Sequence, residues 1–92
     1  MTWKIEYLQS VKKEIRKIDK QTCVRIRDYL ENKIANLEDP RVLGKSLKGN
    51  FSELWRYRVG DYRIICSFED NTCTVLVVRI GHRKNIYDLR KD

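Results

Sequence analysis

The chain has 92 residues, of which 41% are hydrophobic and 36% are charged. This composition excludes a disordered chain, and the length is that of one domain with a modest core, so we expect a single domain over residues 1–92. Lysine and arginine outnumber the acids 20 to 13, and the net charge of +7 favours a polyanionic partner such as RNA, DNA, an acidic protein or an anionic membrane surface.

The sequence contains no sign of a targeting segment or a metal site. The first six residues lack the apolar core of a signal peptide, and the longest strictly apolar run, residues 75–78, is too short to cross a bilayer. We therefore expect a cytoplasmic protein without membrane contact. The three cysteines include no CxxC pair and accompany a single histidine, which makes a poor zinc set. Cys66 and Cys73 could face each other across a hairpin, but in a reducing compartment we expect buried thiols.

Alternating apolar residues predict a first strand over residues 2–7. A helix follows, for which Ser10 is a candidate N-cap. A second helix is expected to begin at Asp19 and to end before Pro40, because the residue before a proline avoids the α region. The apolar positions recur at intervals of three and four, as Leu8, Val11, Ile15 and Ile18 and then as Cys23, Ile26, Leu30, Ile34 and Leu37. The short link between them predicts an antiparallel helical hairpin.

The second half of the chain predicts strands. Residues 41–50 are expected to form an exposed basic loop anchored by Leu43 and Leu47, and residues 53–59, 62–69 and 73–80 to form three strands. Arg83 and the residues up to Leu89 are expected to form a short helix or turn. The order β-α-α-β-β-β predicts an α+β domain in which the helical hairpin packs on one face of a small antiparallel sheet.

Three arginines surround the turn between the first two of these strands. Arg56 and Arg58 share a strand face, and the Gly-Asp sequence at 60–61 indicates a two-residue type II′ turn, whose register sets Arg58 opposite Arg63. Like charges side by side are unfavourable, so this face, which points away from the helices, is expected to bind an anion, with phosphate the leading candidate. The alternative is a solvated face with cross-strand charge pairs, although Glu53 and Asp61 are the only acids near it.

Further candidate residues flank this face. Arg83 follows the last strand and is expected to join the arginines. Tyr87 could contact a ligand or cap the core. His82 adjoins Arg83 and could bind the substrate or carry a proton, or it could be a surface imidazole. Lys45 and Lys48 could steer a nucleic-acid backbone or act as solubilising charges.

Most familiar catalytic patterns are missing from the sequence, which has no paired carboxylates, P-loop, Gly-rich dinucleotide turn or Ser-His-Asp signature. A hydrolase of this composition would depend on electrostatics. Arginines can stabilise the extra charge on a pentavalent phosphorus, and RNA brings its own nucleophile, the 2′-hydroxyl. A small basic protein without a metal or cofactor is compatible with that reaction.

Over nearly its full length the chain resembles the RelE branch of the RelE/ParE toxin superfamily. The resemblance rests on LKG at residues 47–49, LWRYRVGDYR at residues 54–63 and IGHRKNIY at residues 80–87. It implies a RelE/ParE-like, microbial-RNase-like fold and a toxin of a type II toxin–antitoxin pair. It further implies a metal-independent endoribonuclease that inhibits translation by cutting mRNA in the ribosomal A site, through attack of the 2′-hydroxyl.

The resemblance also implies partners and residue roles. The partners are a cognate RelB-like antitoxin, the ribosome with its mRNA and rRNA, and operator DNA through the antitoxin complex only. Arg56 and Arg58 take the basic strand positions of the RelE site, and Arg63 and Arg83 those of its phosphate-contacting arginines. Tyr87 takes the position of the C-terminal tyrosine that contacts the mRNA nucleotide.

One departure from the family pattern leaves the proton acceptor open. The best-studied RelE pattern has lysines where this chain has Arg56 and Arg58. A lysine in a dense cationic site can act as a general base, but arginine effectively cannot. The base would then be Tyr87, His82 or a ribosomal group.

Two other functions remain open. A ParE-like toxin would inhibit DNA gyrase by binding it, and a non-catalytic relative would use the basic face only to dock RNA or a partner. The set of Arg63, Arg83 and Tyr87 favours the nuclease, because ParE-type chains usually lack it.

Overall fold

The computed structural model of the chain describes residues 2–86, which are organised by a five-stranded sheet of order β1-β5-β4-β3-β2. The elements are β1 (Lys4–Tyr7), α1 (Gln9–Ile15), α2 (Lys20–Asp28), which continues as a π-helical segment (Tyr29–Ile34), β2 (Lys45–Ser46), β3 (Trp55–Val59), β4 (Tyr62–Glu69), β5 (Thr74–His82) and α3 (Arg83–Ile86). Within residues 2–86, no helix has the length and apolar character that a membrane span requires.

The starts of the two long helices show which predicted caps form. Asp19 caps α2 as predicted, since its carboxylate accepts the backbone N–H of Thr22 at 3.0 Å. The predicted cap of α1 is wrong, because α1 begins one residue before Ser10. Leu8 donates its backbone N–H to the carbonyl oxygen of Val77 at 3.1 Å. This bond holds residue 8 extended beside β5, and the helix starts immediately after it.

The predicted α+β class, with the helical hairpin on one face of the sheet, is confirmed. The sheet itself is mixed, which corrects the expected antiparallel sheet. β5 pairs antiparallel with β4, and β4 with β3, but β1 runs parallel to β5. Hairpins force consecutive strands to alternate in direction, whereas the long connection after β1 leaves its direction free. The short β2 is a second difference, because it lies in the predicted exposed loop and pairs with β3.

The main core lies between the helices and the sheet. A bulge allows β5 to contribute to it, because strict alternation would place Val77 and Ile80 on opposite faces. Ile65 pairs with Arg79, whereas the next residue of β4 pairs with Val77, so that Val78 is the extra residue. The buried residues of this core include Val11, Ile26, Leu30, Ile34, Tyr57, Val59, Ile64, Cys66, Val75, Val77 and Ile80.

A smaller apolar cluster covers part of the opposite sheet face. Leu47 and Ile65 are buried in it. Leu47 donates its backbone N–H to the carbonyl oxygen of Leu54 at 2.9 Å, which folds the loop back onto the sheet. Leu47 is therefore an anchor as predicted, but the prediction for Leu43 is wrong, since it is 43% exposed. The half-buried neighbours in the cluster are Phe51, Leu54 and Val78.

The three cysteines are free thiols, as expected, and Cys66 is buried as predicted, but the prediction that Cys73 is buried is wrong because it is half-buried. Cys66 lies opposite Trp55 of β3 and Val77 of β5, so it does not face Cys73 across a hairpin. Burial raises the pKa of the Cys66 thiol, which keeps it protonated within the core.

Leu30→Ala is expected to lower the free energy of unfolding by about 2–5 kcal/mol, because Leu30 is fully buried and its truncation leaves a cavity. Val24→Ala is the matched control from the same helix pair. Val24 is 57% exposed, so its truncation should change stability by no more than about 0.5 kcal/mol. Urea unfolding followed by circular dichroism measures both values, and equal losses would contradict this assignment of the core.

Candidate functional site

The hairpin between β3 and β4 sets the positions of the arginines. Gly60 has a φ of +59°, which favours glycine, and it opens the predicted two-residue turn. The register is also as predicted, with Val59 opposite Tyr62 and Arg58 opposite Arg63. Because Val59 is buried in the main core, Arg58 and Arg63 lie on the sheet face that points away from the helices.

This side of the sheet carries a band of cations, and we name Arg56, Arg58, Arg63 and Arg79 the arginine face. The cations lie in two rows that cross the strands, and neighbouring strands are about 4.8 Å apart, so that one polyanion can contact several of them. One row contains Lys45, Arg56, Ile65 and Arg79, and the other contains Arg58, Arg63 and Gly81. Gly81 leaves the position beside Arg63 without a side chain.

Arg63 combines burial with an uncompensated charge. It is 6% exposed, and its Nη1 donates to the carbonyl oxygens of Gly60 at 3.2 Å and Tyr62 at 3.1 Å. Its Nε is buried without a partner among the described residues. Arg41 differs, because it donates to both carboxylate oxygens of Asp70 at 2.9 Å. Within residues 2–86 no carboxylate forms an ion pair with Arg63, so its charge is available to an anionic ligand.

The two predicted lysines lie at the edge of the arginine face. Lys45 is directly opposite Arg56 in the β2–β3 register. A pocket of about 260 Å³ opens beside this pair, and its lining combines cationic with apolar side chains. The pocket is lined by Lys45, Ser46, Leu47, Lys48, Phe51 and Arg56. Both lysines are exposed, so their ammonium groups can reach a ligand that lies along the face.

Arg83 is tied to the same hairpin turn. It begins α3, and its backbone N–H donates to the carbonyl oxygen of Asp61 at 2.9 Å. Its side chain is exposed. The successive carbonyls of Gly60, Asp61 and Tyr62 thus hold the guanidinium of Arg63 and the backbone of Arg83. One turn therefore positions two of the predicted site residues.

His82 lies on the helix-facing side of the sheet rather than with the arginines. It is opposite Tyr62 in the register, and the two rings meet edge to face with centroids 5.7 Å apart. It lines a cleft together with Glu14, Lys17 and Arg79. The structure therefore does not bring His82 beside Arg58 and Arg63. Tyr87, the remaining predicted residue, lies outside the described residues.

Arg79 is the member of the arginine face that strand alternation does not predict. Its face depends on the bulge at Val78, and the only signal of that bulge in the sequence is the spacing of three between Val77 and Ile80. The described part of the chain contains no group of three His, Cys, Asp or Glu side chains placed to hold a metal ion.

Comparison with known proteins identifies the family. The family model described as "ParE toxin of type II toxin-antitoxin system, parDE" matches residues 5–87. The chain is 21% identical to Toxin RelG of Mycobacterium tuberculosis over 87 residues, which cover 95% of this chain and 98% of that protein.

Solved structures share the fold. The toxin–antitoxin complex RelBE2 of Mycobacterium tuberculosis contains a chain with a TM-score of 0.82 and 18% identity, with coverage of 90% of this chain and 93% of that one. A mutant of E. coli toxin RelE in the free state gives a TM-score of 0.75 and 20% identity, with coverage of 96% of this chain and 93% of that one. The RelB–RelE antitoxin–toxin complex of Methanococcus jannaschii gives a TM-score of 0.68 and 27% identity, covering 91% and 96%. The chain belongs to the ParE toxin family of type II toxin–antitoxin systems, within the RelE/ParE superfamily.

Proposed function

We propose that this toxin is an endoribonuclease that cuts mRNA in the ribosomal A site, with the arginine face as its reaction surface. The observation that carries the proposal is Arg63, a nearly buried guanidinium without a carboxylate partner in the described part of the chain. A charge in this state stabilises a ligand of opposite sign more than an exposed charge does. The neighbouring arginines extend the site along a polyanion rather than around a single small anion.

The reaction needs alignment and charge stabilisation. The 2′-oxygen bonds to the adjacent phosphorus as the bond from phosphorus to the 5′-oxygen breaks, which leaves a 2′,3′-cyclic phosphate and a free 5′-hydroxyl. The proton of the 2′-hydroxyl passes to a base, and the 5′-oxygen gains a proton. Phosphorus carries extra negative charge in the transition state, and guanidinium groups fixed beforehand stabilise that charge without reorganisation.

The proposed roles follow from the positions of the side chains. The carbonyls of Gly60 and Tyr62 fix the guanidinium of Arg63, so we assign it the role of stabilising the negative charge of the transition state. Arg58 lies opposite Arg63 and can contact the same phosphate. Arg56 and Arg83 extend the contacts along the RNA. Lys45 and Lys48 are proposed to hold the neighbouring phosphates. Tyr87 completes the proposed catalytic set.

The proton acceptor has fewer candidates than the sequence suggests. Arginines stay protonated and cannot accept the 2′-hydroxyl proton. His82 lies on the helix-facing side of the sheet, away from Arg58 and Arg63. The proposal therefore assigns the base to Tyr87 or to a group of the ribosome.

The proposed partners are a cognate RelB-like antitoxin and the ribosome. The antitoxin is supported by relatives whose structures were solved as RelB–RelE complexes. The proposal includes contact with operator DNA only through the antitoxin complex. The net charge of +7 favours both an acidic antitoxin and the RNA of the ribosome.

A second candidate function is inhibition of DNA gyrase. It is favoured by the name of the matching family, which is that of the ParE toxins. Such a toxin would need no reaction surface, and the charge of Arg63, which has no carboxylate partner within residues 2–86, would then have no chemical role. A non-catalytic RNA-docking relative is the third outcome of the experiment that follows.

Mapping of mRNA 5′ ends in a translating extract separates these functions. Addition of the toxin should produce new ends at A-site codons when ribosomes are present, because the ribosome aligns the mRNA, and none when ribosomes are removed. Loss of supercoiling or DNA breaks without new mRNA ends would select gyrase inhibition. Binding to ribosomes without new ends would select the docking function.

Arg83→Ala should lower the rate of mRNA cleavage by about a hundredfold, because it removes one donor to the transition-state charge. Its side chain is exposed, so the variant should keep the wild-type unfolding curve. Arg16→Ala is the matched control, since it removes an exposed arginine at the end of α1. Cleavage at the wild-type rate by Arg83→Ala would remove this residue from the mechanism.

Arg63→Met tests whether the buried charge serves function rather than stability. Methionine fills most of the volume without a charge. The free energy of unfolding should therefore rise by about 1 kcal/mol, because the change removes a buried cation that lies opposite Arg58 and has no carboxylate partner in the described part of the chain. Cleavage should fall by about a hundredfold. Urea unfolding and the extract assay measure the two effects. A clear loss of stability would instead identify Arg63 as a structural clamp on the turn.

A further inference from the structure

His82 is the only histidine of the chain, and it lies on the other side of the sheet from Arg58 and Arg63. It is nevertheless the last residue of β5, immediately before Arg83. The contacts of His82 therefore affect the path of the backbone from β5 into α3. This path in turn sets the position of the Arg83 side chain.

Three contacts fix the chain at this point. The His82 ring lies edge to face against Tyr62, with an interplanar angle of 76°. The backbone N–H of Arg83 donates to the carbonyl oxygen of Asp61 at 2.9 Å. The backbone N–H of Lys84 donates to Nδ1 of His82 at 3.3 Å. The third contact joins a side chain to the backbone two residues later, the pattern by which Asn and Asp stabilise turns.

We propose that His82 is a positioning residue, which fixes Arg83 by accepting the Lys84 N–H on Nδ1 while its ring is held by Tyr62. This inference rests on the proposed function, because Arg83 needs a defined position only if it contacts RNA. His82 itself does not contact the substrate. The proposal thus replaces proton transfer and substrate binding as the role of this histidine.

The hydrogen bond from the Lys84 N–H requires an acceptor at the position of Nδ1. Nδ1 accepts a hydrogen bond only when it carries no proton, so the ring must be neutral with its proton on Nε2. Nδ1 is three bonds from Cα, and the side-chain oxygen of asparagine is at the same distance. The side-chain oxygen of glutamine is one bond further away, where Nε2 would be. Asparagine can therefore reproduce the bond to Lys84, whereas glutamine and alanine cannot.

The test compares His82→Asn, His82→Gln and His82→Ala with the wild-type toxin in two measurements. The first is the rate of mRNA cleavage in the translating extract. The second is hydrogen exchange of the Lys84 amide in the purified toxin, followed by NMR. Unfolding curves accompany both, so that a variant that fails to fold is recognised.

The proposal predicts that the asparagine variant lies closer to the wild type than the other two variants in both measurements, because it keeps the bond to Lys84 and loses only the ring contact with Tyr62. The glutamine and alanine variants should exchange the Lys84 amide about five- to tenfold faster, which is the size of effect expected for loss of a side-chain cap, and should cleave more slowly by a similar factor. Rescue by asparagine but not glutamine excludes a proton-carrier role, because neither amide can transfer protons as imidazole does.

Two results would overturn the proposal. The first is slow cleavage by the asparagine variant with its Lys84 amide still protected, which would return His82 to the chemistry. The second is unchanged Lys84 exchange in the alanine variant, which would remove the hydrogen bond from the argument. If the wild type cuts no mRNA, the proposed nuclease function fails, and the exchange measurement alone then decides whether His82 fixes the backbone at Arg83.

Discussion

The geometry of the candidate site depends on the three successive carbonyls of the turn between β3 and β4. The carbonyls of Gly60 and Tyr62 accept from the guanidinium of Arg63, and the carbonyl of Asp61 between them accepts from the backbone of Arg83. The positive φ of Gly60 sets the turn, and the turn sets the register of the arginines. Two parts of the chain that are twenty residues apart in sequence are thereby fixed to one short segment of backbone.

The arginine face illustrates a conflict between folding and function. Arg63 is a buried cation that lies opposite Arg58 and has no carboxylate partner among the residues that the structure describes, and such an arrangement opposes folding. The main core on the other face offsets that cost, because β3, β4 and β5 all contribute buried side chains to it. The bulge at Val78 serves both faces, since it returns Ile80 to the core and leaves Arg79 beside Ile65. The sheet can therefore hold a dense positive charge without losing its apolar support.

Local patterns predicted the elements that depend on local chemistry. The cap at Asp19, the turn at Gly60 and the opposition of Arg58 and Arg63 all follow from neighbouring residues, and each is present. The predictions that were wrong concern features that depend on contacts between distant segments. The parallel direction of β1 has no signature within the strand, and β2 is too short to show a period.

The candidate site likewise contains residues that local patterns predict and residues whose positions depend on the pairing of distant strands. Strand alternation predicted the sheet face of the arginines around the hairpin. The bulge in β5 determines which face each later residue of that strand takes, so it places Arg79 on the face of those arginines and His82 on the opposite face. A shift of one residue exchanges the two faces of a strand. Site residues at the end of such a strand can therefore be predicted only when the pairing register is known.

The position of β5 between β1 and β4 has a consequence for the biosynthesis of the toxin. A nascent chain that ends before residue 74 leaves β1 without its parallel neighbour and one edge of β4 open, so the main core cannot close. Assembly of the sheet, and with it the register that completes the arginine face, comes late in translation. A ribosome that is still making this toxin thus carries a chain without an assembled site, and an antitoxin synthesised at the same time can meet the toxin as it folds.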